Sequence, residues 1–208
     1  MVINPKKTKV ISFNKTRKWN FPLEVHFSDN KTLECVSQTK LVGVIVSDDL
    51  KWAKNTQYIC DKVMTKIWVL RRMKKIGLEV EHIFDTYIKE IRSVLELAVP
   101  VWHGGLTRKL SGDIERIQKV AFKVILGDDY HDYNVACTLL ETETLEMRRV
   151  KLCLKFARKD IKKETTLFNV IPNPGRTRDK NRLVHECNTK RFQNSSLPYL
   201  SILLNQQK

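Results

Sequence analysis

The spacing of apolar and polar positions changes character once along the chain. Residues 9–13, 23–27, 33–36 and 41–46 alternate or cluster apolar and β-branched side chains, which predicts four short strands. Ser28-Asp29-Asn30-Lys31 predicts a hairpin between the second and third, and Gly43, inside the fourth, predicts a bulge or the close approach of another backbone. After Asp48-Asp49 the period becomes helical. Ile59, Val63, Ile67 and Leu70 form one stripe, with Lys62 and Lys66 on the flank and back. A second helix over 79–98 puts Ile83, Tyr87, Ile91, Leu95 and Ala98 on one face and stops before Pro100. A third, over 111–126, takes Ser111 as its N-cap, Asp113 in its first turn and Gly127 as a left-handed residue past its end. Its buried stripe is Ile114, Ile117, Ala121 and Ile125. A short piece over 134–140 and a fourth helix over 144–163 follow, ended by Ile171-Pro172-Asn173-Pro174-Gly175.

This order predicts an α+β chain: a small antiparallel β-hairpin region over residues 1–50, a mainly α-helical domain over 51–170, and an extended basic tail, partly disordered, over 171–208. The apolar residues near the end, Leu197 to Leu204, either fold back as a short helix or stay disordered. With 42% apolar residues in 208, there is enough for one or two packed domains, which excludes a wholly disordered tail. No apolar run approaches the roughly 18 residues a membrane span needs, and the first seven residues lack the apolar centre of a secretory signal. The expectation is a soluble intracellular protein of nucleus or cytoplasm, without a membrane partner. Cys35, Cys60, Cys137, Cys153 and Cys187 are odd in number and far apart, which predicts reduced and mostly buried thiols.

Charge adds a partner class. The formal net charge of +15 raises a field that attracts nucleic acid in preference to a membrane, because no basic amphipathic stretch has a bulky lipid-facing side. From 51 to 77 there are eight Lys and Arg against the single Asp61, and from 151 to 192 there are twelve against four acids. Residues 78–150 carry nine Lys and Arg against thirteen acids and lack the basic excess, as expected of a packed spacer between two charged surfaces. Both basic stretches also admit a plain reading as solvated faces.

Catalytic parts are scarce. His131…Cys137 and His185-x-Cys187 have no second half for a zinc site, and His26, His82 and His103 are isolated. Asp48-Asp49 and Asp128-Asp129 are paired carboxylates of the kind that hold Mg²⁺, but each flanks a helix, where capping or turn duty is expected. The glycines form neither a dinucleotide nor a P-loop fingerprint.

Asn4-Pro5-Lys6-Lys7-Thr8-Lys9-Val10-Ile11-Ser12-Phe13, then Lys40-Leu41-Val42-Gly43-Val44 and Leu50-Lys51-Trp52, together resemble the end of a reverse transcriptase from non-LTR retrotransposons. Leu70-Arg71-Arg72, Tyr87, Ala98-Val99-Pro100-Val101-Trp102, Arg148-Arg149, Arg191-Phe192-Gln193-Asn194-Ser195 and Leu203-Leu204-Asn205 resemble the region after the palm. The resemblance covers nearly the whole chain. It implies that residues 1–50 are a palm remnant and that the helices are a thumb.

In that family the lysine of N-x-x-K-[TS], here Lys7, is expected to protonate the departing pyrophosphate, with Lys9 on the backbone. Lys40, Leu41 and Gly43 fall on the primer-grip hairpin, where glycine lets the main chain approach the primer end. Lys62, Lys66, Arg71 and Arg72 would hold the phosphates of an RNA or RNA–DNA template–primer duplex without reading bases. Trp52 and Trp68 either stack on a sugar or base or, as expected at helical spacing, belong to the core. The resemblance places the metal-binding aspartates on an earlier [FY]-x-D-D strand, and no Asp-Asp pair here stands in for them. Mg²⁺ therefore belongs to the intact polymerase, whose remaining palm and fingers are the missing partners. No cofactor and no polymerase activity are expected of this polypeptide alone.

Three other readings stand beside this one. The chain is a stand-alone basic nucleic-acid binder, or a helical interaction domain whose stripes meet a partner protein. The third is borrowed: residues 5–52 also resemble a short N-terminal region of AlkB-like tRNA-modifying dioxygenase–methyltransferases, without the H-x-D iron motif or a glycine loop for S-adenosylmethionine.

Overall fold

The computed structural model describes residues 8–13, 24–27, 31–162, 187 and 189–206. The chain is α+β and divides into two units, Met1–Tyr58 and Ile59–Lys208.

In the first unit, β1 (Lys9–Val10), β2 (Glu24–Phe27) and β3 (Lys31–Cys35) form one sheet in the order β1-β3-β2. Strands β2 and β3 pair antiparallel from Glu24↔Glu34 to Phe27↔Lys31, so the predicted hairpin is present, although its turn, residues 28–30, lies outside the described residues. Strand β1 runs parallel to β3, so this sheet is mixed where an antiparallel region was predicted. The predicted fourth strand is in fact a second hairpin, β4 (Gln38–Leu41) and β5 (Val44–Ser47). Gly43 makes no bulge. Val42 at φ 48° and Gly43 at φ 87° are the two residues of a type I′ turn, whose left-handed backbone suits the glycine and strains the β-branched valine. Among the described residues of this unit Leu33 and Val44 are the buried apolar ones, and Asn55 adds a fixed point by accepting from the Ile45 amide at 3.0 Å.

Helix α1 spans Ala53–Lys75, and the division between units falls inside it. Ile59, Val63, Ile67 and Leu70 are all buried, as the stripe predicts. The predicted second helix is broken into α2 (Val80–Thr86), a π-helical segment (Tyr87–Arg92) and α3 (Ser93–Leu95). Its apolar residues explain the wide turn. Ile83, Tyr87, Ile91 and Leu95 recur every four residues, which drifts against an α-helix of 3.6 per turn but is held on one side by i→i+5 winding, and all four are fully buried. Ala98 leaves the face to turn left-handed at φ 51°. Pro100 then lies in the first turn of α4 (Val99–Trp102), where its missing N–H costs nothing.

Helix α5 (Arg108–Leu126) starts earlier than predicted. Thr107 is the N-cap, accepting from the Leu110 amide, whereas Ser111 lies inside the helix and Asp113 beyond its first turn. Gly127 has the expected positive φ, 61°. Its stripe of Ile114, Ile117, Ala121 and Ile125 is buried. Helices α6 (Tyr133–Leu139) and α7 (Leu145–Lys162) follow, then α8 (Lys190–Gln193) and α9 (Ser196–Asn205). The apolar end of the chain folds back: α9 packs on α7, α4 and the His103–Gly105 turn, buries Leu200, and donates from Ser196 Oγ to the Pro100 carbonyl at 2.7 Å. Among the described residues no helix is long and apolar enough to cross a membrane.

A Cβ on Gly104 would lie 2.7 Å from Tyr199 Cγ and 2.8 Å from the Asn194 carbonyl. Gly104→Ala should therefore loosen α9 and cost about 1–3 kcal/mol, read as a lower Tm and faster amide exchange across 196–205. An unchanged Tm would refute the tight seat. Val42→Asn should relieve the turn by about 1 kcal/mol, seen as slower amide exchange across 38–47.

Candidate nucleic-acid interface

An α-helix turns roughly 100° per residue, so the buried stripe of α1 fixes where every other side chain of its second half goes. Lys62 and Lys66 fall on one flank. Met64, Arg71 and Lys75 fall on the other, and Arg72 on the back. Trp68, next to Ile67 in sequence, is turned off the stripe toward Met64, Arg71, Arg72 and Lys75, and it is 62% exposed rather than part of the core. Trp52 is partly buried with φ 61°. The four nominated cations thus make two groups on different sides of the helix, not one row.

One of the four, and a further lysine of α1, are already engaged. Lys66 Nζ reaches Glu90 Oε2 at 2.5 Å, and the same contact holds the Glu90 carboxyl below its ordinary range. Lys74 Nζ donates to the Ile125 carbonyl at 2.9 Å at the end of α5. By contrast Lys62, Arg71 and Arg72 are exposed and have no ion-pair partner among the described residues. In the first unit, Lys9 pairs with Glu34 at 3.3 Å, directly across β1 and β3. Lys40 Nζ donates to Tyr58 Oη at 2.6 Å and lies 4.8 Å from that ring's centre. Leu41 is exposed beside the Val42-Gly43 turn, so Lys40, Leu41 and Gly43 do share one hairpin tip. Lys7 lies outside the described residues.

Two further basic regions refine the sequence reading. In the stretch from 151 to 192, Lys155, Arg158 and Lys159 are exposed on α7, Lys151 pairs with Glu143, and residues 163–186 lie outside the described residues. The stretch from 78 to 150 is not a neutral spacer at residue level. The exposed positions of α5 are Arg108, Lys109, Gly112, Arg116, Lys119 and Lys123, while Asp128, Asp129 and Asp132 follow the helix. Averaging over the window hid that face; indexing exposed positions against the Ile114 stripe would have found it.

A buried polar cluster is the strongest alternative site. Arg149 has a fully buried side chain; its Nη2 donates to Ser111 Oγ at 2.6 Å and Nη1 lies 3.5 Å from Glu115 Oε1. Glu115 Oε2 accepts from the Tyr133 hydroxyl, and Tyr87 donates to Gln118 Oε1 at 2.8 Å. Burial is the main cause that pushes both phenols well above their usual range. Arg149, Tyr87 and Gln118 are buried, Glu115 and Tyr133 partly so, and together they read as core. The thiols follow the same logic. Burial raises Cys60 to about 11 and Cys153 to about 12, which keeps them protonated, and all five cysteines are free, with Cys137 and Cys153 buried, Cys60 and Cys187 partly so and Cys35 exposed, against the expectation of burial.

Neither paired aspartate is arranged as a metal cradle. Asp49 accepts from Ser47 Oγ at 2.7 Å and the Lys51 amide at 3.1 Å, a turn cap, and Asp128 and Asp129 lie in the 3₁₀ turn after α5. Among the described residues no group of three or more His, Cys, Asp and Glu could hold a metal ion, so these side chains do not fit the Mg²⁺ that the polymerase resemblance implies. No family model, curated protein or solved structure matches this chain.

His103 lies at the edge of the buried cluster with Nδ1 unpartnered, and burial, then the Arg149 charge, lowers it from 6.5 to about 4. Between those values the unfolded chain binds the proton and the fold does not, so this contribution is complete above pH 6.5 and is lost as pH falls to about 4. Between pH 7 and pH 4.5 the wild type should lose on the order of 2 kcal/mol more stability than His103→Gln, by urea unfolding. Equal losses in the two proteins would refute the assignment.

Proposed function

We propose that the chain is the template–primer-gripping part of a non-LTR retrotransposon reverse transcriptase, the end of the palm followed by a thumb, acting as a binding module with no polymerase chemistry of its own. The observation that carries this reading is the outer side of α1, where an exposed Trp68 lies among Met64, Arg71, Arg72 and Lys75, opposite a buried aliphatic stripe. Phosphate neutralisation by those cations gives affinity without base reading, and an exposed indole adds a sequence-tolerant stacking surface. Both suit a protein that must slide along its duplex. In the first unit, the tight Val42-Gly43 turn with Lys40 beside it is the kind of narrow tip that a primer grip requires.

The same exposed Trp68 and Met64, with Ile76 and Leu78, favour a second reading, a helical interaction module for a partner protein. Salt separates the two. Affinity of the full chain for a fluorescein-labelled RNA–DNA hybrid should fall steeply from low to moderate salt. Arg71→Gln, Arg72→Gln and Lys75→Gln together should reduce the slope of log K against log salt by about two to three units. Lys66→Gln should change it less, because Glu90 already neutralises that ammonium. Trp68→Ala should weaken binding by about 1–3 kcal/mol without altering the slope. Affinity indifferent to salt, or a triple variant with the wild-type slope, would overturn the proposal.

A further inference from the structure

The six exposed positions of α5 carry five cations and one glycine and no acid. Arg108, Lys109, Gly112, Arg116, Lys119 and Lys123 fall within a band roughly 100° wide, on the side away from the buried Ile114, Ile117, Ala121 and Ile125. None of the five cations has an ion-pair partner among the described residues. Lys119 and Lys123 are instead held over aromatic rings, 4.9 Å from the centre of Tyr133 and 5.4 Å from that of Tyr130, which limits the freedom that two long side chains would lose on binding.

Two features of this face work against the helix itself. The first turn of α5 contains no acid and does contain Arg108 and Lys109, at the end where the helix dipole disfavours positive charge. Gly112 lies in the body of the helix, where glycine is weaker than alanine, although an added Cβ would meet nothing within 4 Å. Packing among the described residues therefore gives no reason for a glycine there. An external backbone that must come close to the helix surface does.

We infer that α5 is a second nucleic-acid contact face, on which a sugar–phosphate backbone runs along Lys109, Arg116, Lys119 and Lys123 and comes closest at Gly112. From Lys109 to Lys123 the helix rises roughly 21 Å, the axial span of about six phosphates of one strand. This rests on the nucleic-acid reading of the chain, but on a helix the polymerase resemblance did not single out.

The test uses the full chain, the same RNA–DNA hybrid and two variants that act by different physics. Lys109→Gln, Arg116→Gln, Lys119→Gln and Lys123→Gln together should lower the salt slope by about three units. Gly112→Gln removes no charge; it should raise Tm and weaken hybrid binding about five-fold with the slope intact. A wild-type slope in the quadruple variant, with the α1 triple variant still reduced, overturns the α5 face alone. Hybrid binding by Gly112→Gln at wild-type strength overturns the close approach. No hybrid binding by the wild type, including the case in which it binds only phosphatidylserine vesicles, overturns both this proposal and the function on which it rests.

Discussion

A guanidinium shut away from solvent must be answered from within the fold, and the one hydrogen bond and the near countercharge of Arg149 both come from α5, while Nε and Nη1 have no hydrogen-bond partner among the described residues. Glu115 supplies the countercharge and Ser111 a hydroxyl, one helical turn apart, so the Arg149 side chain of α7 fits α5 at one axial position. Losing Glu115 would strand a buried charge, which costs far more than the pair contributes as an attraction, and losing Ser111 would leave one more buried donor unpaired. Much of the helical unit hangs on that register. Helix α9 lies on α7, α2 and α6 lie on α5, and the Tyr133 hydroxyl closes the cluster by donating to the second oxygen of Glu115.

Once the inner faces are committed in this way, the outer ones are what remains, and their chemistry is not dictated by packing. The outer sides of α1 and α5 could have been dressed with mixed charge, as solvated helices usually are. Instead α5 exposes only cations and a glycine, and α1 surrounds an indole with guanidinium and ammonium groups. The link from sequence to function therefore runs through exposure, a property that the net charge of a window does not report.

The helices were legible because burial imposes a period: Ile59, Val63, Ile67 and Leu70, or Ile114, Ile117, Ala121 and Ile125, admit no other arrangement that hides them all. Local backbone events were harder to read. Val42 disguised a turn as strand, because a β-branched residue in a left-handed conformation is what propensity argues against. Thr107 and Ser111 are both good caps, and only the path of the chain entering α5 decides between them. The exposure of Trp68 follows from its offset of one residue from Ile67, a fact the stripe already contained and the usual burial of tryptophan obscured. The α5 face needed the acids of residues 78–150 placed one by one: Asp113 and Glu115 are on α5 but only partly exposed, and Asp128, Asp129 and Asp132 follow it.

The wide turn at Tyr87–Arg92 has a consequence for how this chain can vary in length. A π segment accommodates one residue more than an α-helix would over the same rise. Deleting any one of those six residues would let the winding tighten to an ordinary α-helix, and the side chains before the cut would keep nearly the same facing relative to those after it. Twelve α-helical steps from Ile83 to Leu95 would splay the two by roughly 120°, whereas eleven bring them within roughly 20° of one side, so a single in-frame codon loss is absorbed inside this segment, while the same loss elsewhere in the helix would turn half of an interior face outward.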